Sequence, residues 1–309
     1  MKKIFIDGRE GTTGLRIESR LSSRSGLELI VLPENERKDP AARRNAIAAA
    51  DIAFLCLPDA AAKESVALAE GTDTVIIDAS TAHRTAAGWE YGFPELGEGR
   101  AERIAGSKRI AVPGCHASGF VALVRPLVRA GIIDPDAELA CFSLTGYSGG
   151  GKKMIADYET RGDALVAPRQ YALSQAHKHL PEMTAVSGLS HAPVFCPVVG
   201  AFYSGMEVTV PLFASALKGG ASAEDIKRVY ADLYVGRTVF YRESAGEDGF
   251  LSAGAYTGKD SMEISVHGNG DRILLVARYD NLGKGASGAA VECMNLVLGE
   301  AAEKGLQLD

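Results

Sequence analysis

Five cysteines lie along this chain, at positions 56, 115, 141, 196 and 293, and only one has a setting suited to chemistry. Cys115 stands in Pro113-Gly114-Cys115-His116-Ala117-Ser118-Gly119, between the apolar runs 109–112 and 120–124. The first run reads as a short buried strand and the second as one face of a helix. A cysteine at that junction meets unpaired amide N–H groups and the positive end of a helix dipole, both of which favour a thiolate. Cys115 is therefore a candidate nucleophile. The other four lie among apolar or small residues, where a free cysteine usually serves packing. No two are spaced C-x-x-C and the count is odd, which argues against a zinc site or a disulfide framework and suits a reducing cytoplasm.

A thiol nucleophile needs a proton partner, and His177-Lys178-His179-Leu180-Pro181-Glu182 offers one. Two histidines at i, i+2 lack the i, i+4 spacing of helical metal ligands, so no metal is expected and general acid–base work fits better. A glycine-rich stretch at 145–153, with Ser148, Gly149, Lys152 and Lys153, could hold an anion on backbone donors. Its spacing is not that of a Walker A loop. Arg84, at the end of the fourth expected strand, is a candidate anion binder.

These groups need a scaffold and an electron carrier. The apolar run 3–7 leads into Gly8, Gly11, Thr12, Thr13 and Gly14 and then a helical pattern. Strand, glycine turn and helix start form the phosphate-binding corner of a dinucleotide fold. Beyond the second strand, at 27–32, Glu34 stands near the place of a ribose-binding acid, but Arg37, Lys38, Arg43 and Arg44 follow it. Basic residues there suit a 2′-phosphate, so NADP is the expected cofactor, with Arg37 as a contact. Ser80, in the segment after the strand at 74–78, lies at a strand end where such sheets bind ligands.

With 309 residues the chain is expected to form two domains. The alternation of strands and helices up to residue 116 predicts an α/β, doubly wound Rossmann sheet. The segment 89–94 has no clear period and reads as a loop. Later strands alternate better, as at 204–210 and 261–266, which predicts an α+β substrate domain with a mainly antiparallel sheet. The expected division is 1–116, completed by a C-terminal helix at 285–309, against 117–284. A net charge of −6 with no basic run speaks against nucleic acid as a partner. No apolar stretch approaches the length of a membrane span, and the N-terminus does not resemble a signal peptide.

The Gly-x-x-Gly-x-x-Gly turn, Pro113-Gly114-Cys115, Ser148-Gly149-Gly150-Gly151, His177-x-His179-x-x-Glu182 and Asn281-Leu282-x-Lys284-Gly285-Ala286-x-Gly288 occur together here. In this the chain resembles the N-acetyl-gamma-glutamyl-phosphate reductase family, the arginine-biosynthesis relative of aspartate-semialdehyde dehydrogenase, in its shorter second form. Common members read Pro-Gly-Cys-Tyr-Pro-Thr where this chain reads Pro-Gly-Cys-His-Ala-Ser. The resemblance implies that Cys115 is the nucleophile, assisted by His177, with His179 and Glu182 in support. It implies that Asn281, Lys284 and Gly285 lie beside the nicotinamide, and that Arg84 binds phosphate. It further implies a small acyl-phosphate substrate, a homo-oligomer, and reduction of a cysteine thioester by NADPH. Two alternatives stay open at this point: aspartate-semialdehyde dehydrogenase, and a non-catalytic dinucleotide sensor on the same fold.

Overall fold

The computed structural model describes residues 1–308. It divides into two compact units. One comprises 1–94, 99–114 and 286–306, and the other 95–98, 115–285 and the residues from Gln307.

The first unit is built on six parallel strands in the order β2-β1-β3-β4-β6-β5. In chain order its elements are β1 (Lys2–Asp7), α1 (Thr12–Leu21), β2 (Leu27–Ile30), α2 (Pro40–Ala49), β3 (Ile52–Leu55), α3 (Asp59–Leu68), β4 (Val75–Asp78), β5 (Glu90–Tyr91), α4 (Arg100–Gly106) and β6 (Arg109–Ala111). Period-two alternation splits the strand side chains between two cores. Ile4, Ile6, Ile52 and Phe54 pack with Ile17 and Leu21 of α1 and Ile104 of α4. Phe5, Ala53 and Leu55 pack on the other face with Ile47 of α2 and Ala62 of α3. Helices on both faces explain why the strands read as continuous apolar runs. The segment expected to be a loop holds β5, which pairs parallel with β6. Two residues are too few for any period to show in the sequence.

The second unit carries seven strands in the order β11-β12-β13-β10-β7-β9-β8. Its elements are α5 (Cys115–Arg129), β7 (Ala140–Gly146), α6 (Gly151–Arg161), β8 (Arg169–Gln170), α7 (Leu180–Ser187), β9 (Val194–Gly200), β10 (Met206–Phe213), α8 (Ala223–Leu233), β11 (Val239–Tyr241), β12 (Met262–Gly268) and β13 (Arg272–Tyr279). The pairings are antiparallel except β7 with β9 and β11 with β12. The last helix, α9 (Gly288–Val297), returns to the first unit, where Cys293 and Met294 join the core beside α1.

The helix α5 is buried along most of its length and continues through Pro126, a residue that ordinarily kinks a helix or starts a new turn. Proline cannot donate to the carbonyl of Ala122. The Tyr234 hydroxyl donates to that oxygen instead, at 2.7 Å. Cys115 and His116, assigned by sequence to the first domain, open α5 and so belong to the second unit.

Candidate active site

The glycine turn follows β1. Gly8 has φ +84°, and a Cβ there would stand 2.4 Å from the carbonyl oxygen of Cys56, so only glycine lets the turn cross the end of β3. The helix α1 starts after Gly11 with no side-chain cap, leaving the first-turn amides at Thr12, Thr13 and Gly14 without a capping side chain. Beside the turn opens a cavity of about 650 Å³ lined by Gly8, Arg9, Glu10, Glu34, Arg37 and Lys38, among others. Arg37 is held there by Glu10 at 2.9 Å and Glu34 at 2.7 Å.

Three other basic or polar residues expected at this end have different partners. Arg43, counted with the basic residues near the 2′-phosphate, is buried and bonds Asp7 at 3.1 Å, Glu64 at 3.0 Å and Ser65. It braces the end of β1 from inside. Ser80 is also buried; its hydroxyl donates to Asp78 at 2.7 Å, and that carboxylate accepts from His83 as well. Arg84 donates to the carbonyl oxygens of Val112 at 2.9 Å and Ala79 at 3.1 Å, tying the ends of β4 and β6 together. The local sequence predicted a ligand contact for each of them; in the structure each also has a protein partner, from two residues away for Ser80 to 36 for Arg43 and Asp7.

In the second unit Cys115 is the first residue of α5. Its carbonyl accepts the Tyr279 hydroxyl at 2.5 Å, and that hydroxyl in turn accepts the amide N–H of Gly119 at 3.0 Å. Tyr279 thus clasps the first turn of α5 onto the end of β13. A Cβ on Gly285 would stand 3.2 Å from the Cβ of Cys115, so this position is kept bare for a close approach. Cys115 is half-buried, whereas Cys141 is fully buried. Burial, followed by the Asp78 and Asp7 charges, pushes the Cys56 thiol up to about 12. Burial likewise raises Cys141 far above its usual range. Neither is a thiolate at neutral pH.

Three imidazoles gather in this unit. His177 and His179 stand edge-to-face at 4.7 Å, and the His116 ring lies 5.7 Å from the first and 5.6 Å from the second. The amide N–H of His179 donates to Nδ1 of His177 at 3.2 Å, so a neutral His177 carries its proton on Nε2. His179 occupies the N-cap position of α7 without a side-chain capping bond, and Glu182 is buried in the first turn of that helix. Both Cys115 and Glu182 act electrostatically on Tyr279, whose hydroxyl is raised well above its usual range, first of all by burial. His116 is pushed down to about 3, first by burial and then by the neighbouring His177, so it is neutral at physiological pH.

The late motif, read by resemblance as a nicotinamide contact, has partners inside the second unit. Asn281 accepts the amide of Gly205 at 3.0 Å and donates to Ser148 Oγ at 3.0 Å. Ser148 is therefore buried under Asn281, while Gly149 beside it is exposed. Lys284 is 2% exposed and its ammonium pairs with Glu95. Asp280 folds the turn around itself, accepting from Ser204, Gly258, Leu282 and Gly283. The motif is the seat against which Cys115 rests.

Two family models match the chain: the NAD binding domain of semialdehyde dehydrogenase over residues 33–104, and the dimerisation domain of semialdehyde dehydrogenase over 115–281. It is 47% identical over 307 residues to an N-acetyl-gamma-glutamyl-phosphate reductase of Brucella ovis, covering 96% of this chain and 99% of that one. It is 45% identical over 302 residues to N-acetyl-gamma-glutamyl-phosphate reductase 2 of Pseudomonas putida, covering 96% of each. The chain belongs to the N-acetyl-gamma-glutamyl-phosphate reductase family. Among solved structures, aspartate semialdehyde dehydrogenase II of Vibrio cholerae shares the fold with a TM-score of 0.72 at 16% identity, covering 96% of this chain and 98% of that one. The aspartate semialdehyde dehydrogenase of Candida albicans, solved with NADP, gives a TM-score of 0.65 at 15% identity, covering 99% of this chain and 100% of that one.

Within this family member, sequence reasoning passed over His116, Ser143, Tyr171, Phe195 and Tyr279. His116 had a usable signal, because it follows Cys115 and departs from the commoner family pattern. A glycine at position 119, inside a buried apolar helix, hinted at a close neighbour, and that neighbour is Tyr279. Tyr171 and Ser143 had none; only the folding of the sheet brings them to His116.

Proposed function

We propose that the chain is an NADPH-dependent reductase that converts N-acetyl-gamma-glutamyl phosphate to N-acetylglutamate semialdehyde and phosphate through a thioester on Cys115. The observation that carries this reading is Cys115 at the first residue of α5, whose next residue, His116, packs among His177 and His179. The relatives' names supply the substrate.

The cofactor corner suits a dinucleotide: a turn that only glycine can make at position 8, a helix start without a side-chain cap, and a cavity with Arg37 and Lys38 on its wall. Gly8, Gly11, Thr12, Thr13 and Gly14 would hold the pyrophosphate on backbone amides. Arg37 and Lys38 would hold the 2′-phosphate of NADP, Arg37 turning from Glu10 and Glu34 to do so. When bound, NADPH supplies a hydride.

The Cys115 thiolate attacks the acyl carbonyl, a C–S bond forms, and the bond to the phosphate oxygen breaks. Amides at the start of α5 stabilise the tetrahedral oxyanion. Once the thioester has been reduced, the C–S bond breaks, sulfur takes back its electron pair and the aldehyde leaves. We assign to His177, which carries its hydrogen on Nε2 when neutral, the hydrogen bond that steadies the departing sulfur anion. His179 and Glu182 stand at the start of α7 in the same motif and are proposed to support it. The exposed Gly149 turn is the second unit's candidate for the substrate's phosphate; Arg84 would have to leave the carbonyls of Val112 and Ala79 to bind an anion.

We also infer a homodimer in a reducing cytoplasm, which suits five free thiols. Phe142, Val194, Phe213 and Leu274 share one exposed face of the second sheet, inside the segment matched by the dimerisation model. A second copy is the occupant expected on that face.

The test is the reverse assay. N-acetylglutamate semialdehyde should drive reduction of NADP only when phosphate is present, and aspartate semialdehyde should be a poor replacement. Equal rates without phosphate would rule the reading out.

A further inference from the structure

The ring cluster contains a chain of groups that the mechanism above does not use. His116 is 3% exposed, and both its ring nitrogens are engaged: Nδ1 with Ser143 Oγ at 2.6 Å, and Nε2 with the Tyr171 hydroxyl at 2.6 Å. Ser143, on β7, is 1% exposed. Tyr171 lies just beyond β8 and is half-buried, at the open end of the chain.

The loop that carries Tyr171 is held in an unfavourable shape. Ala172 has φ +53° and Gln175 φ +56°, a left-handed conformation that is strained for a residue other than glycine. Gln175 offsets this by bonding the backbone of Phe195 twice with its side-chain amide, at 2.8 and 2.9 Å. The Phe195 ring packs at 5.3 Å from His116 and 5.2 Å from His177. Strain that is fixed by specific partners marks a geometry the protein maintains.

We propose that Tyr171 is a catalytic hydrogen-bond donor to the oxygen of the acyl group carried on Cys115, aimed by His116 as a positioning residue. This rests on the reading of Cys115 as the nucleophile. When Ser143 donates to Nδ1, Nε2 of His116 carries the proton and donates to the Tyr171 oxygen. The phenol hydrogen is then free to turn to the acyl oxygen. Every donor in the line points the same way, and each bond polarises the next. No proton changes owner, so the line acts as a set of fixed dipoles. Its chemistry needs a neutral His116, and burial keeps that ring neutral down to about pH 3. It also needs a protonated Tyr171, whose hydroxyl is raised above its usual range by burial and then by the Cys115 charge.

Steady-state kinetics, alkylation of Cys115 by iodoacetamide and thermal unfolding test this on the full chain. Tyr171→Phe should lower kcat by roughly 10²–10³-fold, the cost of losing one oxyanion donor, with KM and the alkylation rate within about twofold of the parent. His116→Gln, which keeps a neutral N–H at the Nε2 position, should retain most activity, and His116→Leu should lose it as Tyr171→Phe does. If Tyr171→Phe keeps kcat within about threefold while Cys115→Ala is inactive, the proposal is overturned and the nucleophile reading stands. A fall in alkylation as large as the fall in kcat also overturns it, because the hydroxyl would then act on the thiol. Turnover by Cys115→Ala would remove the nucleophile reading on which it rests.

Discussion

The dinucleotide corner and the cysteine–histidine cluster are built on opposite principles. The corner is made of backbone. Its residues are neighbours in sequence, and what matters is the absence of side chains at Gly8 and Gly14. The cluster is made of side chains drawn from α5, β7, the loop after β8, the start of α7 and β9. A backbone site is a local property and tolerates wide drift elsewhere. A side-chain site exists only once a seven-stranded sheet has formed. The contrast predicts that damage to the corner is steric and affects binding first, whereas damage to the cluster affects the chemical step and leaves the fold standing.

The largest effect belongs to the cluster. Cys115→Ala should lower turnover by roughly 10⁴-fold or more, while NADPH binding by fluorescence titration stays at the parent value. Loss of NADPH binding in that variant would erase the separation between the two sites. At the corner, Gly8→Val should weaken NADPH by about 10–100-fold and destabilise the chain by about 1–3 kcal/mol, since its Cβ would stand 2.4 Å from the Cys56 carbonyl oxygen. Normal affinity in a folded Gly8→Val variant would contradict the account of the turn.

These two sites also differ in how far they could be read in advance. The glycine turn, the parallel sheet and Cys115 at a helix start follow from neighbours in sequence and from strand and helix periods, and all three are legible. The roles of Arg43, Ser80 and Lys284 are not. Each is a polar residue next to a motif, and its type alone does not say that Asp7, Asp78 or Glu95 will take it up. The late Asp280–Gly285 motif was recognisable, but its use as a seat for Cys115 depends on β13 lying beside α5. Tyr171 and Ser143 carry no pattern, because a two-residue strand and one position in β7 do not announce a partner on a distant helix.

A smaller effect concerns stability at acid pH. His116 binds its proton only near pH 3 in the folded chain, and near 6.5 when unfolded. Between those values the unfolded state holds the extra proton, so stability rises with pH by about 1.4 kcal/mol per unit from this residue alone. Urea unfolding followed by circular dichroism from pH 4 to 7 should show the slope, and His116→Gln should reduce it by that amount. An unchanged slope would place the ring in water rather than in the core. The smallest effect is expected at the corner's rim. Arg37→Ala should weaken NADPH relative to NADH by about 3–10-fold, a modest loss for a charge-assisted contact because Arg37 must first leave Glu10 and Glu34.

The central claim is that Cys115 carries the acyl group. Incubating the enzyme with N-acetyl-gamma-glutamyl phosphate in the absence of cofactor, then quenching in acid and mapping peptides by mass spectrometry, tests it directly. The peptide bearing Cys115 should gain one N-acetylglutamyl group as a thioester, and the adduct should vanish as aldehyde forms when NADPH is added. An enzyme that turns over fully while Cys115 stays unmodified, or that carries the group on another of its cysteines, would contradict it.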